Sequence, residues 1–214
     1  MTHQVTIRNT KYQFKIEDDE SILQAALAAG LVIPYGCRDG ACGSCKGKLI
    51  EGEIDYGQYS EKALSAAERE AGHALFCQAK ARTDVVIEAR DVRAAGDIQV
   101  RIFPSRVAKL ERVTDDVIIL SLKMPATQPF RFIAGQYLDF IMKDGSRRSF
   151  SMANAPYDNE FVQLHIRHVP GGSFTDHVFL KMKEREILRF EAPLGTFALR
   201  EDSTKPIVFV ASGT

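Results

Sequence analysis

Apolar and polar residues alternate from the start of the chain. Val5 and Ile7 set the pattern, Tyr12, Phe14 and Ile16 repeat it, and Asn9-Thr10 lies between. Period-two alternation around an Asn-bearing break predicts a β-hairpin. Ser21 is followed three residues later by Gln24. That pair predicts a capping box opening a helix from Ser21 to Ala29, with Gly30 ending it. The stretch from Leu31 to Lys46 is glycine-rich and reads as a loop, and Lys48 to Ile54 as a strand. Ser65 with Glu68 predicts a second short helix, and Val85, Val86 and Ile87 a closing strand. These elements together describe a small α+β domain covering residues 1–92.

Arg90 to Gln99 is polar and without period, so a linker is expected there, centred on residues 93–100. Strand patterns then dominate: Val100 to Leu110, Val117 to Lys123, Gln136 to Met142 and Phe161 to Arg167. A helix from about Ser173 to Met182 interrupts them. Successive strands broken by Gly and Pro predict an antiparallel β-barrel or sandwich, here over residues 101–204. The apolar run Pro206 to Ala211 and the turn Ser212-Gly213-Thr214 fall in residues 205–214.

Composition narrows the choices. At roughly 150 residues per domain, a chain of this length holds one or two domains. Lys and Arg number 28, Asp and Glu 28, so the formal charge is zero. A general nucleic-acid binder needs a positive excess to displace counterions and is not expected. No apolar run approaches the ~18 residues of a membrane span. The first residues lack the apolar core of a secretory signal, so the cytoplasm is the expected compartment. Residues 1–100 carry 12 basic and 15 acidic side chains, and residues 101–214 carry 16 and 13. This modest split fits two modules with different ligands, or chance.

All four cysteines, Cys37, Cys42, Cys45 and Cys77, lie in the first module. Three sit in one loop with spacing Cys-x4-Cys-x2-Cys, and the fourth follows 32 positions later. This is the plant-type spacing for a [2Fe–2S] cluster. Gly36, Gly40, Ala41, Gly43 and Ser44 are small, which lets backbone N–H groups approach thiolate sulfurs. A disulfide pair is disfavoured without an export signal. Structural zinc would use Cys42 and Cys45 but lacks a second ligand pair of usual spacing. Four unrelated buried cysteines would not place three of their number in one glycine loop.

Pro34-Tyr35-Gly36-Cys37-Arg38-Asp39-Gly40-Ala41-Cys42-Gly43-Ser44-Cys45 resembles the cluster loop of plant-type ferredoxin domains with a β-grasp fold. The resemblance implies that all four cysteines are iron ligands.

The second module carries Arg147-Arg148-Ser149-Phe150-Ser151-Met152-Ala153-Asn154, and further on Pro170-Gly171-Gly172-Ser173-Phe174-Thr175 at the mouth of the predicted helix. Taken singly, the first fits an ordinary strand with a surface Arg pair, and the second a turn with an N-cap at Ser173. Together they resemble the Arg-x-Tyr-Ser and Gly-Gly-x-x-Ser/Thr motifs of ferredoxin-NADP reductase-like flavin barrels. The resemblance implies bound FAD. Arg148 would pair with a flavin phosphate, residue 150 would stack on the ring, and Ser151 would bond near its N5. Ser149, Gly171, Gly172, Ser173 and Thr175 would line the cofactor. Phe150 stands where Tyr is more usual, which keeps the stacking and loses a hydroxyl. Gln136 and Tyr137 match the strand leading toward the first motif. His165 and Ile166 lie where the family places ribityl and adenine contacts, although His165 alone also reads as a surface or packing residue. A diphosphate suits a guanidinium fork, and a helix N-terminus suits an anion.

Lys205 to Thr214 resembles the first strand and Gly-rich turn of the family's nicotinamide-binding α/β domain. A complete domain of that kind needs several more strands and helices. The chain is therefore expected to be a fragment or truncated product, with its hydride step impaired. The order ferredoxin, flavin barrel, nicotinamide domain is that of reductase components of multicomponent oxygenases and of CDP-6-deoxy-glucoseen reductases. It implies electrons moving from NAD(P)H through FAD and the cluster to an oxygenase or CDP-sugar dehydratase partner. No catalytic residues beyond the cofactors are expected. Two other classes remain at this stage, a [2Fe–2S] electron carrier without its own reductase activity and a zinc-stabilised interaction module.

Overall fold

In the computed structural model, which describes residues 1–94, 96, 100–158, 160–199, 203–208 and 210, the opening alternation pairs as expected. β1 (Thr2–Ile7) and β2 (Gln13–Glu17) are antiparallel, with Asn9 in the left-handed region at φ 59°. Ser21 caps α1 (Ile22–Ala28): it accepts from the Gln24 N–H, and the Gln24 side chain accepts from the Ser21 N–H. The helix buries Ile22, Leu23, Ala25 and Ala26, and Val5, Ile7, Phe14 and Ile16 are buried in the same unit.

The remaining elements of this unit are β3 (Leu31–Val32), β4 (Lys46–Glu51), β5 (Ile54–Asp55), α2 (Ala66–Glu70), β6 (His73–Leu75), β7 (Lys80–Ala81), β8 (Val85–Glu88) and β9 (Arg93–Ala94). The main sheet runs β2-β1-β8-β4-β6, with β1 and β8 parallel. Ser65 and Glu68 form the second capping box, as expected. The single strand expected over Lys48 to Ile54 is split. Gly52 turns the chain at φ +91°, and Ile54–Asp55 pair with β7 instead. Any Cβ on Gly52 would overlap the Asp84 carbonyl, so only glycine permits this turn. β9 also departs from expectation. Arg93 and Ala94, read as linker, pair with Leu31 and Val32, themselves read as loop. Two-residue strands carry no period to read.

One glycine here reports directly on packing. A Cβ at Gly47 in β4 would overlap the ring of buried Phe76 and sit 2.7 Å from the Glu88 carbonyl oxygen. Overpacking costs typically 1–3 kcal/mol, and a backbone oxygen cannot swing aside. Gly47→Ala is therefore expected to lose about 3 kcal/mol, read as a lowered denaturation midpoint at unchanged slope.

The chain divides into two compact units, Met1–Gln99 with Gly195–Phe197 and Val100–Leu194 with Ala198–Thr214. The second contains β10 (Arg101–Arg112), β11 (Val117–Lys123), β12 (Tyr137–Ile141), β13 (Arg147–Ser151), β14 (Val162–Arg167), α3 (Ser173–Leu180) and β15 (Ile187–Leu194). All pairings are antiparallel, in the order β13-β12-β15-β10-β11-β14. Just beyond β13, the Ala153 N–H donates to the Gln163 carbonyl of β14 at 2.8 Å, so the two edges of the sheet approach one another there. Asn154 strengthens the seam, accepting from the Gln163 N–H at 2.9 Å. Inside lie Phe103, Leu120, Leu122, Leu138, Phe140, Leu164, Ile166 and Phe190, with Phe174 and Val178 of α3 in the same core.

β15 was not anticipated from the sequence, yet it lies between β12 and β10. Its alternation breaks at Ala192-Pro193-Leu194, all buried, and a Pro argues against a central strand. The register with β12 shifts at this end of the strand, which accommodates the proline. The run expected as the first strand of a further domain, Pro206 to Ala211, lies partly outside the described residues, as does Ser212-Gly213-Thr214. Its described members, Pro206, Ile207, Val208 and Val210, are exposed and form no strand. A strand of the parallel type needs neighbours on both faces, and the described residues supply none. Among the described residues no helix is long and apolar enough to cross a membrane.

Candidate functional sites

The cysteine loop runs between β3 and β4, and Cys77 follows β6. Strand pairing brings the two segments together: the Phe76 N–H donates to the Cys45 carbonyl at 3.1 Å. The Gln78 side-chain amide donates to the Arg38 carbonyl at 3.1 Å, tying the far side of the loop to the Cys77 segment. Gly40 and Gly43 adopt φ +79° and +76°, which lets the loop wrap back on itself.

The four thiols fall into two pairs. The Cys37 N–H points at Cys42 Sγ at 3.4 Å, and the Cys42 N–H returns to Cys37 Sγ at 3.3 Å. The other pair is Cys45 and Cys77, both buried and in direct side-chain contact. Contact with Cys77 pulls the Cys45 thiol below its ordinary range, whereas contact with Cys45, aided by burial, pushes Cys77 up. Burial opposes ionisation of Cys42. The Cys37 N–H, with the hydroxyl and N–H of Ser44, outweighs it and brings that thiol to about 7. A Cβ on Gly36 would stand 3.2 Å from Cys42 Sγ, so the loop closes tightly around the sulfur at that point. Two thiol pairs ringed by N–H donors suit a binuclear cluster. The residues fit a [2Fe–2S] cluster.

In the second unit, strand alternation separates the two arginines. Arg148 and Phe150 pair across from Phe140 and Leu138, on one side of the pleat. Arg147 and Ser149 face the other side, where Arg147 binds Glu191 at 2.8 Å and the Ser149 hydroxyl donates to buried Asp139. The Phe174 ring packs 4.7 Å from Phe140 and 5.3 Å from Phe150, which fixes the start of α3 beside β13. There the Arg148 guanidinium reaches Ser173 Oγ at 3.5 Å and its own neighbour's carbonyl, Arg147 O, at 2.7 Å.

The N-cap of α3 is Gly172, not Ser173, and it offers no side-chain cap. The first intrahelical bond runs from the Asp176 N–H to the Gly172 carbonyl at 2.8 Å, so the N–H groups of Ser173, Phe174 and Thr175 precede the ladder. An uncapped helix start facing a guanidinium suits an anionic diphosphate, and a half-buried phenylalanine on the same side suits a flat ring. These residues fit FAD.

Several expected contacts are arranged otherwise. The Thr175 hydroxyl is buried and turned inward, donating to the Val169 carbonyl at 2.9 Å and the Gly172 carbonyl at 3.3 Å, so it shapes the glycine turn and is not presented outward. Ser149 is engaged by Asp139 on the face away from Arg148. Ile166 has no accessible side chain, since it points into the barrel core; only its backbone could meet a ligand. His165, adjacent to it, is exposed on the opposite face. Ser151 is exposed, and Gly171 has φ +81°. Gln136 caps its own turn, accepting from the Ile133 N–H at 2.9 Å, and Tyr137 opens β12 opposite Ser151. Sequence reasoning missed Asp139 and gave no role to Phe174 and Asn154, although both lie in the quoted motifs. Asn154 holds the loop after the motif through the Asp158 and Phe161 carbonyls at 2.6 and 3.0 Å. An Asn two residues before a Pro was the available signal for that loop.

The two sites define the class, an iron–sulfur domain joined to a flavin barrel, and comparison with known proteins agrees. Residues 5–82 match the 2Fe-2S iron-sulfur cluster binding domain family, and residues 104–199 match the oxidoreductase FAD-binding domain family. The chain thus carries, in this order, a region of the iron–sulfur cluster domain family and a region of the oxidoreductase FAD-binding domain family. It is 40% identical over 201 residues to the CDP-6-deoxy-L-threo-D-glycero-4-hexulose-3-dehydrase reductase of Yersinia pseudotuberculosis, an alignment spanning 94% of this chain and 60% of that one. It is 35% identical over 214 residues to terephthalate 1,2-dioxygenase reductase component 1 of Comamonas, spanning 100% and 63%. The crystal structure of the cytochrome P450 reductase GcoB of Amycolatopsis superposes with a TM-score of 0.80 at 30% identity, over 95% of this chain and 60% of that one. The chain thus spans about three-fifths of the length of these relatives.

Proposed function

We propose that this chain is the electron-transferring part of an NAD(P)H-dependent reductase. It would receive electrons at FAD in the second unit and deliver them from a [2Fe–2S] cluster in the first to a protein acceptor, an oxygenase component or a CDP-sugar dehydratase. When bound, the flavin accepts two electrons together and the cluster passes them on singly. Cys37, Cys42, Cys45 and Cys77 would hold the cluster, Cys37 and Cys42 on one iron and Cys45 and Cys77 on the other. Arg148 and the first N–H groups of α3, with Ser173, would hold the flavin phosphates, and Phe150 would cover the ring. Gly172 keeps the helix start open, and Thr175 holds that turn in shape. Ser151, His165 and the backbone of Ile166 would complete the flavin site from β13 and β14. The setting would be cytoplasmic.

One observation carries the proposal: a single chain holds a paired four-thiol cradle and, separately, a guanidinium set against an uncapped helix start. Relatives named for dioxygenase and dehydrase systems support a protein acceptor. Purified full chain is expected to contain iron, acid-labile sulfide and FAD, with flavin and cluster absorbance both present. Photoreduction should bleach both and produce the EPR signal of a reduced cluster. Protein with iron and sulfide but no retained flavin would instead make it a simple electron carrier. Zinc without sulfide would make it an interaction module.

A further inference from the structure

The Ser44 hydroxyl stands beside the sulfur of Cys42. It lies 3.3 Å from Cys42 Sγ, and the Ser44 N–H lies 3.5 Å from the same atom. Cys42 Sγ thus has three polar contacts, since the Cys37 N–H approaches at 3.4 Å; Cys37 Sγ has contacts of its own, from the Cys42 N–H at 3.3 Å and from Asp39 and Ala41. The hydroxyl is held in place from behind. A Cβ on Gly36 would stand 3.1 Å from Ser44 Oγ, so the loop leaves little space there, and the Lys46 N–H bonds the Gly43 carbonyl at 3.1 Å, closing the turn that carries Ser44.

A hydroxyl facing a thiol can serve as acceptor. Once that sulfur is a metal-bound thiolate it has no proton to give, and the hydroxyl must turn to donate. Adding an electron to a cluster raises the negative charge on its sulfurs, and a donor to sulfur stabilises the reduced form more than the oxidised one. The site is partly open to water, which tempers the effect without abolishing it, because the loop fixes the hydroxyl where water would have to be ordered.

We propose that Ser44 is a positioning residue that sets the reduction potential of the cluster, raising it through a hydroxyl donated to the Cys42 sulfur. The proposal rests on the assignment of the four cysteines as cluster ligands. Ser44 does not hold the iron, and its loss should leave iron and sulfide content unchanged. A purely structural role would alter cluster loading or thermal stability and leave the potential alone.

The test is an EPR-monitored redox titration of this chain, loaded with cluster, as wild type, Ser44→Ala and Ser44→Thr. Ser44→Ala is expected to make the cluster harder to reduce by about tenfold in the equilibrium constant, which is about 59 mV for a one-electron couple. Ser44→Thr keeps the hydroxyl and should return the potential to near the wild-type value. If Ser44→Ala loads poorly, Ser44→Gly removes the hydroxyl together with its Cβ and carries the same expectation. A loaded Ala or Gly variant with an unmoved potential overturns the proposal, as does a Thr variant displaced as far as Ala. Wild-type protein that shows no cluster signal under any loading condition would instead defeat the ligand assignment itself.

Discussion

Replacing Arg148 by alanine is expected to weaken FAD binding by about ten- to a hundredfold, while Arg147→Ala changes it little. The two residues are neighbours with the same charge, so a general electrostatic effect would treat them alike. Strand geometry does not. Arg147 faces Glu191, bonded at 2.8 Å, on the side of β13 that carries Ser149 and Asp139. Arg148 lies on the other side, 3.5 Å from Ser173 at the uncapped start of α3. A hydrogen bond to a charged partner contributes roughly 1.5–3 kcal/mol, and about 1.4 kcal/mol is a factor of ten in affinity. Arg147→Ala should instead cost a little stability, about 0–1 kcal/mol for a partly exposed pair. Fluorescence titration of apoprotein with FAD measures both. Equal losses would remove Arg148 from the phosphate site.

Most of this arrangement could be read from sequence because it depends on local rules. The capping boxes at Ser21 and Ser65 formed because two side chains three residues apart satisfy two backbone donors without help from elsewhere. The separation of Arg147 from Arg148 followed from period-two alternation. Elements defined by distant partners could not be read. β3 and β9 are two residues each and exist only because they pair with one another. β15 carries a proline and three consecutive buried residues, which hid it, yet its neighbours β10 and β12 make it a strand.

The same limit applies inside the candidate sites. Thr175 and Ser173 are chemically alike in sequence and both seemed suited to a phosphate. Their roles separate only once the helix is built, since the residue at the third position turns its hydroxyl back to the Val169 and Gly172 carbonyls. Ile166 was expected at the cofactor, with His165, because the resembling family places ribityl and adenine contacts there, but adjacent strand residues face opposite ways, and its side chain belongs to the core. Ser149 was read as one of a row of motif residues. Its partner Asp139 is ten positions away on β12 and carried no motif of its own.

Cys77→Ser should abolish the cluster outright and leave FAD bound. Cys77 would be the ligand contributed from outside the loop; it is buried and in contact with Cys45. Its position depends on β6, whose pairing with β4 sets Phe76 against the Cys45 carbonyl. A serine there would keep the backbone geometry and the small size, so the unit should still fold. It would replace a soft thiolate by a hydroxyl that does not ionise at neutral pH, and iron–sulfur clusters depend on thiolate ligands. The partner Cys45 would then face a hydroxyl, and one iron would keep a single protein sulfur. The residues proposed to hold the flavin, Arg148, Phe150 and Ser173, belong to the other compact unit, so FAD should be retained at close to one per chain. Absorbance is expected to show flavin bands alone, with iron and sulfide below a tenth of the wild-type content. Retention of a full cluster signal would mean that Cys77 is not a ligand, and a matching loss of flavin would mean that the two units do not fold independently.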